Sequence, residues 1–78
     1  MIKNKTDYLM TMRVYILNLL IQGKKDKAKR LAKKHDLVLA YNQGVESIKK
    51  NKIKFTKKQI QESKEAEKNY YKKELNLK

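Results

Sequence analysis

Residues 6–23 read TDYLMTMRVYILNLLIQG, and the spacing of their apolar side chains decides the fold. Leu9, Met12, Ile16 and Leu19 recur at helical intervals, and Met10, Val14, Leu17 and Ile21 do so on a neighbouring stripe. One helix, predicted over 7–22, is therefore apolar nearly all round, and such a helix is expected to be central, wrapped by its neighbours or shared with a second subunit. Thr6 is its expected N-cap, Asp7 faces the positive end of the helix dipole, and Gly23 stands where a left-handed residue stops a helix. The apolar run 8–21 is 14 residues long and interrupted by Arg13 and Asn18, short of the ~20 residues that a bilayer crossing needs. No integral membrane association is expected. A basic start followed by an apolar run imitates a secretory signal, yet no small-residue cleavage site precedes Lys24 and Lys25, so the expected location is the cytoplasm.

Outward from this helix the charge changes abruptly. Residues 24–35 carry Lys24, Lys25, Lys27, Lys29, Arg30, Lys33 and Lys34 against Asp26 alone. Ala28, Leu31, Ala32 and His35 still fall on one helical face, which predicts a basic second helix over 24–35. Asp36 is the expected N-cap of a third helix, with Val38, Tyr41, Val45 and Ile48 on its apolar side. Gly44 inside that pattern marks a kink, a break, or close approach of a neighbouring backbone. The segment 49–58 holds six lysines and no acid. It leads into a fourth helix, expected over 57–75, announced by the capping box Thr56-Lys57-Lys58-Gln59 with Phe55 placed to staple onto Ile60. Between Ile60 and Tyr70 only Ala66 is apolar, so this helix is expected to be partly solvated, with an exposed Glu74–Lys78 pair and with Tyr70, Tyr71, Leu75 and Leu77 docking its far end.

The 78 residues make one domain, 1–78, with no proline, no cysteine and two glycines. The expected fold is all-α: a small bundle of three to four short helices with the first helix central and apolar. So small a domain buries only ~60% of its unfolded surface, and with no disulfide or thiolate site available a homodimer is the expected remedy.

Twenty-one Lys and Arg stand against eight Asp and Glu, a formal net charge of +13. Self-repulsion on that scale favours an anionic partner, although an AT-rich genome also enriches lysine without any function. Only Arg13 and Arg30 are arginine, whereas base-edge readout leans on bidentate arginine, so the charge points to phosphates more than to a base-reading code. The candidate contacts are Lys24, Lys25, Lys27, Arg30, Lys33 and Lys34 in the first cluster, with Lys49, Lys50, Lys52, Lys54, Lys57 and Lys58 in the second. An antiparallel second and third helix would join them into one patch. The expected partner is nucleic acid, DNA before RNA, bound by a small accessory or regulatory protein of the kind found in bacteria, phages or plasmids. The alternative is an inhibitor or adaptor docking its basic surface on an acidic protein. Residues 24–45 have the outline of a helix-turn-helix, but the second helix opens on Leu-Val-Leu-Ala where base-contacting polar groups belong. Tyr70 and Tyr71 are the tyrosines free enough to stack on bases. Neither a catalytic residue nor a metal site or cofactor is expected: His35 and Asp36 are adjacent on a helix and point apart, and the acids are scattered.

Overall fold

The computed structural model describes residues 2–75; Leu77 and Lys78, with the contacts expected of them, lie outside these. The chain forms α1 (Lys5–Ile21), α2 (Lys25–Lys34), α3 (Val38–Lys50) and α4 (Lys57–Ala66). The last helix continues through a π-helical turn (Glu67–Tyr71) into a final short helix, α5 (Lys72–Glu74). No strand occurs among the described residues, and the fold is an all-helical bundle around α1, which packs on α2, α3, α4 and the π turn, while α4 packs on α1 alone.

Both stripes of α1 are helical, but only one is buried. Met12, Tyr15, Ile16 and Leu19 are at most 1% exposed and meet Ala28 and Ala32 of α2, Tyr41 of α3 and Leu75 in one core cluster. The alanines bring α2 close to α1. Gly44 does the same for α3: a Cβ there would lie 2.7 Å from Leu17 Cδ2 and 3.2 Å from Leu20 Cδ1. The glycine therefore marks close approach to side chains of α1, and α3 runs through it unbroken. Met10, Val14 and Leu17 of the other stripe stay exposed.

The chain alternates direction. His35, past the end of α2, lies 5.8 Å from Tyr8 near the start of α1, ring centre to ring centre. Leu17 and Leu20 meet Gly44 along a parallel α3, and Asn18 and Tyr15 meet Ser63 and Tyr71 along an antiparallel last helix. Each of the three connections between α1 and α4 starts with a left-handed cap. Gly23, Asp36 and Lys52 each take a left-handed conformation (φ 78°, 59° and 49°) and close α1, α2 and α3 with the same paired hydrogen bonds. The 6→1 bonds run from Lys24 N to Leu19 O (2.9 Å), Leu37 N to Ala32 O (2.7 Å) and Ile53 N to Ile48 O (3.1 Å). Asp36 is thus the stop of α2 and does not cap α3, whose start has no side-chain cap. Thr6 likewise lies inside α1, because Asn4 Oδ1 accepts the Asp7 N–H (2.9 Å) and starts the helix earlier. The Thr56 box is present in full: Thr56 Oγ1 accepts from Gln59 N (3.1 Å) and Gln59 Oε1 accepts from Thr56 N (2.9 Å).

Candidate nucleic-acid interface

The alternation of direction sets where the lysines go. The end of α1, the start of α2, the end of α3 and the start of α4 share one pole of the molecule. Lys24 stands there just before α2, Lys25 and Lys27 on it, Lys49 and Lys50 on α3, Lys52 and Lys54 on the connection, and Lys57 and Lys58 on α4. Lys25 and Lys49 line one cavity of about 240 Å³ floored by Leu20, Val45 and Ile48, so the two clusters meet there. Lys27, Arg30 and Lys34 continue as a ridge beside Leu31 down α2, and Lys33, also exposed, lies beyond it.

Local electrostatics make this pole receptive to anions. Lys25 and Lys27 sit in the first turn of α2, next to the positive end of its dipole, where cations are unfavourable. That turn has no side-chain cap, so its amide hydrogens add to the same positive field. The last turn of α3 carries Lys49 and Lys50 at the negative end of its dipole, which favours them.

Two of the lysines have a second commitment. Glu67 in the π turn is only 6% exposed. Its Oε2 lies 3.7 Å from Lys24 Nζ and 4.0 Å from Lys27 Nζ, and its Oε1 accepts from Gln22 Nε2 at 3.3 Å. Both lysine side chains remain about 40% exposed (42% and 41%), so the pairing is loose and water competes for it. Next to it, Asn18 Nδ2 donates to Ser63 O (2.8 Å) and Ser63 Oγ donates to Asn18 O (3.1 Å). Sequence reasoning missed this polar seam. Its signal was Asn18 inside the apolar run and Gln22 just past its end, spaced four apart like Ser63 and Glu67.

The tyrosine pair divides. Tyr71 stacks on Tyr15 (5.3 Å between ring centres), and Tyr70 meets Tyr71 edge-on while staying 44% exposed. Burial, and then the nearby Glu67 charge, push the Tyr15 hydroxyl up to about 12; burial and then Tyr70 raise Tyr71 too. Tyr70 borders Met10 and Val14 in the first half of α1, away from the lysine pole. The first turn of α3 presents Val38 and Leu39 (39% and 72% exposed) where a groove-reading helix offers polar groups. Among the described residues no three of His, Cys, Asp and Glu converge as metal ligands, and no helix is long and apolar enough to cross a membrane. Compared with protein-family models, curated proteins and solved structures, the chain matches none.

Proposed function

We propose that this protein binds nucleic acid, duplex DNA before RNA, as a small accessory or regulatory protein that holds phosphates at its lysine pole. It acts by binding alone, in the cytoplasm and as a homodimer. The observation that carries the reading is the gathering of both lysine clusters at one pole around the uncapped start of α2, with Arg30 and Lys34 extending the positive surface. Duplex is preferred over single strands because the exposed tyrosine, a stacking platform for unpaired bases, lies away from that pole. Sequence preference is modest, since lysine contacts phosphate as a point charge.

The test is affinity for duplex DNA against salt concentration, where each contacted phosphate contributes a logarithmic slope of roughly −0.9. Any chain of +13 adheres to DNA at low salt, so variants of equal charge loss are compared. Lys52→Gln with Lys57→Gln, and Arg30→Gln with Lys34→Gln, should each weaken binding and flatten the slope by nearly two units. Lys72→Gln with Lys73→Gln, at the far end of the last helix, should do much less. Equal effects from all three pairs would mean diffuse attraction without a site, and docking on an acidic protein would become the better account of the same lysines.

A further inference from the structure

The second stripe of α1 is only partly covered within the chain: Leu17 reaches Gly44 of α3 and Ile21 lies beside Phe55, while much of the stripe stays bare. Met10 is 58% exposed, Val14 51% and Leu17 43%; Tyr70 beside them is 44% exposed, and Ile21 continues the stripe half-buried. Large side chains left bare on the central helix of a small bundle need an occupant.

We propose that this stripe is an interface between two copies of the chain, with their α1 helices antiparallel about a two-fold axis passing between Val14 and Leu17. The spacing of Met10, Val14, Leu17 and Ile21 is four, three, four, which reads the same in both directions. Reversed on itself, it sets Val14 against Leu17 of the partner subunit and Met10 against Ile21 of the partner subunit, the alternation of an antiparallel helix pair. Self-complementarity of this kind is what a two-fold interface requires.

Charge decides between occupants and between orientations. An acidic helix from another protein would want cations along the stripe's margins, yet the side chains lining the adjoining hollows are Thr11, Gln43 and Ser47, with Arg13 as their one cation. A second copy needs only an uncharged margin. A parallel pair would set two lysine poles side by side. The antiparallel pair puts them at opposite ends of the paired α1 helices, whose 17 residues span about 25 Å, some three times the ~8 Å screening length at physiological salt.

Area sets the strength. Taking roughly 150–200 Å² for each fully exposed side chain, the four exposed residues leave roughly 350 Å² of apolar surface per chain, a large patch for a monomer. Two copies bury about twice that, roughly 700 Å², before the polar rim is counted, which is below the ~1,200–2,000 Å² of stable interfaces and in the range of weak, transient ones. The dimer is therefore a concentration-dependent one. It does not rest on nucleic-acid binding, and hydrodynamics tests it without any ligand.

Sedimentation of the full chain across micromolar concentrations should show a monomer–dimer equilibrium that tightens as salt screens the like charges. Val14→Glu should keep the helical circular dichroism, because the side chain is half exposed, and should remain monomeric. The chain has no cysteine, so single cysteines report contact. Under oxidation Val14→Cys should link two chains. Met10→Cys should not, since the two-fold separates it from its copy by about 16 Å along the axis; nor should Leu39→Cys, at 72% exposed the most accessible control. A wild-type chain monomeric throughout, a dimer that survives Val14→Glu, failure of Val14→Cys to link, or linking of Met10→Cys or Leu39→Cys as fast as Val14→Cys would each overturn the proposal.

Discussion

Against α2 and α3, α1 gathers Met12, Ile16 and Leu19 in one cluster with Ala28, Ala32 and Tyr41 and lays Leu17 and Leu20 over Gly44, whereas against the start of the last helix it offers Asn18 and Gln22 to Ser63 and Glu67. The first side is held by area removed from water, ~25 cal/mol per Å², which no specific geometry is needed to collect. The second is held by hydrogen bonds worth ~1 kcal/mol each net, and it leaves Gln22 Oε1 buried without a donor. The apolar side supplies stability. The polar side supplies register, because Asn18 and Ser63 satisfy one another in one alignment only.

The comparison breaks first at Leu19, which is fully buried. Leu19→Ala should cost ~2–5 kcal/mol. Against the ~4–12 kcal/mol expected of a domain this size, that is a large fraction of the whole. Urea unfolding followed by helical circular dichroism measures it.

On the other side, Ser63→Ala should cost about 1 kcal/mol. Glu67→Gln, which keeps an acceptor for Gln22 and loses only the loose lysine pairing, should cost less than that. Both should speed amide exchange in α4 while leaving α1, α2 and α3 protected. If Ser63→Ala cost as much as Leu19→Ala, the two sides would not differ as described.

A last effect appears only in alkali. Burial, and then the Glu67 charge, push the Tyr15 hydroxyl up to about 12 from its ordinary 10.0, so the fold holds that proton more tightly than the unfolded chain does. Its stabilising contribution is complete below pH 10 and is lost as pH climbs towards 12. Tyr15→Phe, which cannot ionise, should unfold at higher pH than wild type. Tyrosinate absorbance should show two late groups, Tyr15 and Tyr71, and five tyrosines titrating together near pH 10 would contradict the burial argument.

Helix content, the central place of α1 and the Thr56 start were legible because each rests on local periodicity or capping chemistry. What escaped was decided elsewhere. Asp36 and Lys52 take left-handed conformations with no glycine to announce them, since the 6→1 bonds of Leu37 and Ile53 outweigh a ~1–2 kcal/mol backbone penalty. Asn4 displaced Thr6 because two capping residues stood two positions apart and the longer helix satisfied more amides. The π turn has a subtler source. Ser63, Glu67, Tyr71 and Leu75 all turn towards α1 at intervals of four, a repeat that drifts by ~40° per step in a regular α-helix. The wider turn at Glu67–Tyr71 takes up part of that drift and delivers Tyr71 to Tyr15 and Leu75 to the core. For the candidate interface, the lysine clusters were visible as composition. Their convergence needed the direction of every helix, and the diversion of Lys24 and Lys27 towards Glu67 needed a contact 40 or more residues away.

The docking of α4 on α1 alone has a consequence for the order in which the chain acquires its structure. α1, α2 and α3 follow one another across connections of a few residues, while the Asn18–Ser63 hydrogen bonds join positions 45 residues apart. Closing the larger loop waits on the hairpins that close the smaller ones, so α1 to α3 collapse first and present a finished surface on which the last helix zips down. Ser63→Ala would then accelerate unfolding and leave the refolding rate untouched, while Tyr71 and Leu75 complete the core only as the last helix docks.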